Sequence, residues 1–380
     1  MWIILLSILV AVIQLGNGNE SEEELIYVQA IWRHGDRAPT KLPYPNDEHD
    51  EIAWPRGWGQ ITNVCLFYVS PVFLFAVILV LQIGMMQMYE LGQFFRKRYA
   101  SFITNFNAKD VNMVSSKSNR AVVSGLAMLR GFFPAVGQEV WLPDELWQPL
   151  PLQIATTDAV KFTNGIDMFT KYHFPSCVVV KVLTSQMLKP TSFDCQAYDA
   201  ESEKENEISH NMTQPPWVYQ TWPQFDSETT INIISNLKRI RRISEFNSPA
   251  KAQLRGGLLM EDWISRAKNI SMGLPITPRK MKLYSAHDGT ILALLYALDV
   301  ANDLLVPYAA CVIMEIYKTA NNHTIIKFLY KNGTTLHQLP LPGCPSDDNC
   351  TITHVEKAVA AKGVRDLAQL TKVDFSDVSR

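Results

Sequence analysis

The sequence predicts an α/β sandwich, and three observations carry that reading. Short apolar runs alternate with stretches of helical periodicity, the order strand, helix, strand, helix that builds a sheet covered by helices. Two of the apolar runs stop abruptly at polar turns, one at Arg33-His34-Gly35 and one at His287-Asp288. The chain has 380 residues, 47% of them hydrophobic, enough for one large domain or a domain with a helical cap.

The elements follow in order. Leu25 to Trp32 (LIYVQAIW) reads as a buried strand, short and continuously apolar. Met88, Leu91, Phe95, Tyr99 and Phe102 recur at helical spacing, with Arg96, Lys97 and Arg98 towards the C-terminal end, where cations suit the helix dipole. Val111 to Ser115 is a short strand, and Asn119 to Phe133 a helix with Val122, Leu126 and Leu129 on one face. The polar stretch Asp199 to Gln214 reads as a loop in a cap region. Thr229 to Ile243 and Leu258 to Met272 read as helices. Lys282 to Ala286 is a strand that runs straight into His287, and Thr290 to Leu298 is an apolar helix. Cys311 to Tyr317 and Ile325 to Tyr330 pair as a hairpin across TANNH.

Thirty-five basic residues against 37 acidic ones leave almost no net charge. That balance argues against nucleic acid or an anionic membrane as the main partner, because both demand a basic surface. A small anion needs only a local cluster of arginines. At the N-terminus, Trp2 to Ile13 is too short to span a bilayer and has the size of a signal-peptide core. Gly16 and Gly18 are spaced for cleavage after residue 18, giving a leader of residues 1–18. Sequons at Asn211, Asn269, Asn322, Asn332 and Asn349, with Asn19 at the new terminus, agree with secretion. Cys344 and Cys350 flank the short loop PSDDN and read as a local disulfide, an oxidising-compartment feature. No CxxC or His-rich spacing suggests a metal site.

The chemistry concentrates in Arg33-His34-Gly35-Asp36-Arg37-Ala38-Pro39. Two arginines around a histidine at the C-terminal end of a strand suit a phosphate pocket, since ligands of open α/β sheets bind there. Guanidinium groups match phosphoryl oxygens in bidentate geometry and stay charged. Gly35 lets the backbone turn tightly and approach a phosphate, and Pro39 stiffens the exit. A histidine in that field can attack phosphorus as a neutral imidazole.

RHGxRxP after an N-terminal strand resembles the signature of the histidine acid phosphatases, in the branch that includes prostatic and lysosomal enzymes. The distal YSAHDGTI, with His287 and Asp288, resembles that family's second motif. So do WQPLP at 147–151, KPTSFDC at 189–195, QPPW at 214–217, ALDV at 297–300, PYAAC at 307–311 and LPGC at 341–344. The resemblance implies a three-layer α/β sandwich with a central mixed sheet and a smaller α-helical cap, here truncated near 196–256. It implies hydrolysis of phosphomonoesters through a phosphohistidine. His34 resembles the nucleophile, Arg33, Arg37 and His287 the phosphate ligands, and Asp288 the general acid. The scheme needs no cofactor and no metal, takes a small-molecule phosphomonoester as partner, and leaves a homodimer open.

Three departures stand against the resemblance. The family's third phosphate arginine falls in a stretch like VRSTDxDR, matched here by VNMVSSKSNR, which puts Val114 at that place. Lys117 and Arg120 lack the right offset along the strand. Losing such a contact costs about 2–4 kcal/mol of transition-state stabilisation, so a weakened or inactive member that binds phosphorylated ligands is the alternative reading. Second, residues 64–82 form an apolar insert between GWGQITN and IGMMQMYELG, and residues 160–186 read as a second insert. The codons of their first and last residues fit splice boundaries, as retained introns would. Taken alone, 64–82 meets the threshold for a membrane span, which would make a single-pass membrane protein, although it would put His34 and His287 on opposite sides of the bilayer. Third, several cap helices are missing between Cys195 and QPPW, so Cys195 and Cys311 lack their usual partners.

Overall fold

The computed structural model describes residues 23–44, 46–62, 84–155, 204–345 and 350–364. The leader 1–18 and the inserts 64–82 and 160–186 lie outside the described residues, as do Cys65, Cys177, Cys195, Asn19 and Asn349.

A seven-stranded mixed sheet forms the middle layer. Its members are β1 (Glu24–Arg33), β2 (Val111–Ser115), β3 (Gln153–Ile154), β6 (Met281–Ala286), β7 (Cys311–Lys318), β8 (Thr324–Asn332) and β9 (Thr335–Gln338), in the order β3-β2-β6-β1-β7-β8-β9. A separate two-stranded ribbon pairs β4 (Thr221–Trp222) with β5 (Glu228–Thr229). The pairs β3–β2, β2–β6 and β6–β1 are parallel, and those from β1 to β9 antiparallel. β1 is buried on both faces, which explains its continuous apolar run. Val28, Ala30 and Trp32 point into one core, while Tyr27 and Ile31 point into the other.

Two helices cover the first face, α1 (Gly84–Arg98) and α2 (Asn119–Phe132). They cross at glycines: a Cβ on Gly92 would lie 2.1 Å from the Met128 carbonyl, and one on Gly131 the same distance from that of Tyr89. Phe95, Phe132 and Trp32 fill the space beneath. The C-terminal end of α1 is fastened to β7 by Glu315, which is 1% exposed. Its carboxylate accepts from Arg98 Nε and Nη2 at 2.6 and 2.8 Å and from the hydroxyls of Tyr99 and Tyr317, each at 2.7 Å.

The opposite face carries α5 (Pro249–Ser271) and α6 (Asp288–Ala297), with Met260, Trp263, Ile291 and Leu294 in the second core. α5 begins nine residues before the predicted Leu258. The pair Gly256-Gly257 lies inside the helix, where a Cβ on Gly256 would fall 2.0 Å from the Ala293 carbonyl of α6. Tight helix packing outweighs the poor helix propensity of glycine there. The three layers match the expected sandwich. Between them in sequence lie α3 (Lys204–Ser209) and α4 (Thr230–Ser244). The polar stretch expected to be a loop is thus partly helical, and Lys204, Asn206 and Glu207 are buried in it.

The hairpin forms as expected, continuing into β9, and α7 (Ile352–Val359) follows the Cys344–Cys350 disulfide, which is present. Cys311 is a free, fully buried thiol. Asn211, Asn269 and Asn322 are exposed, and Asn332 is half-buried at the end of β8. No helix among the described residues is long and apolar enough to cross a membrane.

Candidate active site

Three parallel strands end side by side and place the predicted residues together. Arg33 pairs with Ala286 at the ends of β1 and β6, and the His34 amide donates to the Ala286 carbonyl at 3.0 Å. Across β6, the Ser116 amide donates to the Ser285 carbonyl at 3.0 Å. His34, Ser116 and His287 therefore leave the same edge of the sheet, beyond the carboxyl ends of strands, where α/β sheets bind ligands. The rings of His34 and His287 lie 5.4 Å apart between centroids.

The loop after β1 is held from several sides. The Gly35 amide donates to Ser124 Oγ at 3.1 Å, and the Asp36 amide to Gln87 Oε1 at 2.9 Å. A Cβ on Gly35 would lie 2.2 Å from the Gly84 carbonyl, and Gly35 does not have a positive φ. Close backbone approach to the start of α1, rather than a tight turn, is what requires glycine. Asp36 Oδ2 accepts from Thr62 Oγ1 at 2.7 Å and lies 2.8 Å from His210 Nε2. Through His210, the segment after α3 clamps the loop.

The hydrogen bonds of His34 define its tautomer. Nδ1 is 2.8 Å from the Gly35 carbonyl, which can only accept, so Nδ1 carries the proton. On the other side, Arg120 Nε donates to Nε2 at 3.0 Å, which requires a lone pair there. Both contacts specify a neutral imidazole. Burial, then the charges of Arg33, His287 and Arg120, hold its pKa well below the usual histidine value. His287 is pushed down to about 4 by burial and by Arg120, with Asp288 opposing. Its Nε2 lies 2.8 Å from Ser116 Oγ.

The offset along the strand counts against Arg120, and the structure overturns that expectation. It sits in the first turn of α2, which folds back over the strand ends, so distance along β2 is the wrong measure. Val114 does occupy an aliphatic place, packed against the core on the α5–α6 side. Lys117 makes no hydrogen bond or ion pair with His34. A cation in the first turn of a helix opposes the helix dipole, a cost consistent with a site built for an anion.

Arg33 stacks on Tyr308, its Cζ 3.7 Å from the ring centroid, and Nη1 donates to the Val306 carbonyl at 2.6 Å. Its Nε is buried with no hydrogen-bond partner, a penalty of about 1–3 kcal/mol that an anionic oxygen would relieve. Tyr308 lies 5.7 Å from the His34 ring and donates to Asn206 Oδ1 at 3.0 Å. It lies in the PYAAC stretch, where nothing in the spacing marks the tyrosine as a site residue. Arg37 stays on the loop, where Nη1 donates to the Ala38 carbonyl at 2.8 Å. Asp288 opens α6 and accepts from Arg242 Nε at 2.9 Å. Burial favours its neutral form, but Arg242 and Arg33 outweigh burial and hold it below the usual carboxylate range.

A second polar cluster, Asp47, His49 and Glu207, has metal-ligand chemistry. Lys204 Nζ already lies among these groups, 2.7 Å from Asp47 Oδ2 and hydrogen-bonded to Glu207 Oε2, so an ammonium supplies the positive charge there.

Comparison with known proteins agrees with this geometry. The model of the histidine phosphatase superfamily, branch 2, matches residues 24–247 and 246–331. Prostatic acid phosphatase of Bos taurus is 30% identical over 356 residues, covering 86% of this chain and 83% of that protein. Lysosomal acid phosphatase of Xenopus laevis is 28% identical over 352 residues, covering 84% and 73%. Among solved structures, the apo form of Hafnia alvei phytase superposes with a TM-score of 0.56 at 15% identity, covering 91% of this chain and 98% of that one, a likeness of fold. The paired strand ends that carry His34 and His287, and the family match that spans both, make the chain a member of the histidine phosphatase superfamily, branch 2.

Proposed function

We propose that this chain is an acid phosphatase that hydrolyses phosphomonoesters through a phosphohistidine on His34. The observation that carries the proposal is the state of His34: buried, neutral, with Nδ1 tied to Gly35 and the Nε2 lone pair facing Arg120. In the first step Nε2 attacks phosphorus and the bond to the ester oxygen breaks. The departing oxygen takes a proton from the Asp288 carboxyl or leaves as the free anion. In the second step water attacks phosphorus, Asp288 accepts its proton, and the P–N bond returns its electron pair to Nε2. Arg33, Arg37, Arg120 and His287 bind the phosphoryl oxygens and stabilise the charge spread over them in the transition state. Tyr308 backs the Arg33 guanidinium, whose Cζ lies 3.7 Å from the ring centroid.

The leader 1–18, the exposed sequons and the Cys344–Cys350 disulfide support a secreted or lysosomal glycoprotein. We read 64–82 and 160–186 as insertions into the family fold, and the cap near 196–256 as shortened. Turnover of an aryl phosphate near pH 5 by the purified chain, lost in His34→Ala, is the expected result. A folded wild-type chain without turnover would favour the second reading, a binder of phosphorylated ligands, to which Val114 points.

A further inference from the structure

Arg33 presents one edge of its guanidinium to the site. Nη1 is engaged by the Val306 carbonyl at 2.6 Å, which leaves the Nε–Nη2 edge, a pair of parallel donors that matches two oxygens of a phosphoryl group. Nε is buried and has no hydrogen-bond partner among the described residues. Where this edge points depends on the plane of the guanidinium, and a single bond through Nη1 leaves that plane free to turn. The Tyr308 ring, with its centroid 3.7 Å from Cζ, closes off one side and restricts the turning.

Tyr308 is itself held from two directions. Its neighbour Ala309 has a φ of 57°, the left-handed region that is strained for any residue with a Cβ. Around that turn the Ala309 amide donates to the His34 carbonyl at 3.3 Å, and the Ala310 carbonyl accepts from the Arg33 amide at 3.0 Å. The segment 306–310 therefore grips Arg33 and His34 by their backbone while the ring backs the Arg33 side chain. From the other direction, the Tyr308 hydroxyl donates at 3.0 Å to Oδ1 of Asn206, 102 residues earlier. Asn206 is buried on α3, and Lys204 of the same helix lies 2.7 Å from Asp47 Oδ2 and bonds Glu207. A buried ion cluster of this kind holds one arrangement, because breaking it leaves an uncompensated charge.

We propose that Tyr308 and Asn206 are positioning residues for phosphate recognition: Asn206 pins the tip of the Tyr308 ring, and the ring sets the Arg33 edge that binds the phosphoryl oxygens. This rests on the phosphatase reading above for the role of Arg33. An aromatic side chain without a polar anchor is free to tilt, whereas a hydroxyl bonded to a buried amide oxygen fixes the tip of the ring. The consequence is that α3, which lies outside the sheet that carries His34 and His287, belongs to the phosphate site. A purely structural role makes a different prediction. The same contacts would then fasten α3 to the loop, and their loss would lower stability without changing phosphate affinity.

The test titrates inorganic phosphate calorimetrically into the purified full chain, beside turnover of 4-nitrophenyl phosphate. Tyr308→Leu removes the ring and should weaken phosphate binding roughly five- to thirtyfold, the worth of a partly desolvated cation–π contact. Tyr308→Phe and Asn206→Ala should each weaken it about two- to fivefold, and the double variant no more than either alone, since both remove one hydrogen bond. In an Arg33→Gln background, Tyr308→Leu should leave phosphate affinity within about twofold, because the group it positions is gone. An equal loss from Tyr308→Leu in both backgrounds would assign the ring a packing role and overturn the proposal. Tyr308→Phe keeps the ring, so the test stands even where Tyr308→Leu does not fold; an affinity equal to wild type in Tyr308→Phe would likewise overturn it. Phosphate binding by wild type without turnover of the ester would overturn the phosphatase reading instead, and the affinity cycle would still decide the roles of Tyr308 and Asn206.

Discussion

Replacing Arg120 by Met tests whether the helix start supplies the charge that Val114 does not. The side chain contributes an Nε donor 3.0 Å from the His34 nitrogen that would attack phosphorus, so it borders the position of the transferring phosphoryl group. Removing one such preorganised donor costs about 2.7–4 kcal/mol, or 10²–10³ in kcat. A second effect acts through charge. Arg120 is among the groups that lower both His34 and His287, the latter to about 4. Without it both histidines take up protons at higher pH, and a protonated His34 cannot attack. The acid limb of kcat/KM should therefore move upwards, beyond the uniform loss. Stopped-flow turnover of an aryl phosphate from about pH 4 to about pH 7 measures both effects. Arg120→Lys, which keeps the charge but not the fork, should retain the position of the acid limb and recover only part of the rate. A kcat/KM within threefold of wild type across the range in Arg120→Met would refute the assignment.

Other consequences concern stability. Arg98→Ala leaves Glu315 charged in a site where it is 1% exposed; because Arg98 itself is 30% exposed, a loss of about 3 kcal/mol is expected in denaturant melts, and Glu315→Gln should restore part of it. Gly131→Ala drives a methyl against the Tyr89 carbonyl and should cost about 1–3 kcal/mol by separating α1 from α2, read as a lower Tm. Acid should weaken the ligand-free protein through His287: the unfolded chain gains its proton at the ordinary value near 6.5 and the folded one at about 4, so its contribution is intact above the first and lost towards the second. Allowing for partial exposure, this amounts to about 2 kcal/mol, with buried His34 acting in the same direction, and inorganic phosphate should reverse much of the loss. A Tm that rises on acidification in the absence of phosphate would contradict that sign.

Much of the site was legible because its chemistry is tied to strand ends. An apolar run stopping at Arg33-His34 and another stopping at His287-Asp288 place those residues at one edge of a parallel sheet, and the register Arg33 to Ala286 realises it. What escaped depended on three-dimensional approach. Arg120 was discounted on its spacing along the strand, although the first turn of α2 brings it back over His34. Arg242 reaches Asp288 from a helix 46 residues earlier, and only the space at Gly289 marks its path. Tyr308 joins the site by stacking, a contact with no periodic signature. In the fold, α5 starts nine residues before the expected helix, and the packing of Gly256 against Ala293 that accommodates this start has no periodic signature. The short β9 and α3 were missed for another reason: four and six residues carry too little periodicity to register.

The proposed reaction turns on a covalent phosphate on one nitrogen of His34. The direct measurement is to mix the protein with a ³²P-labelled aryl phosphate, quench with denaturant in alkali, and map the label by peptide sequencing. Label on His34 that survives alkali and is released by acid, absent in His34→Ala and accumulating in Asp288→Asn, is the predicted result. Turnover with no label on His34, or turnover that persists in His34→Ala, would contradict it.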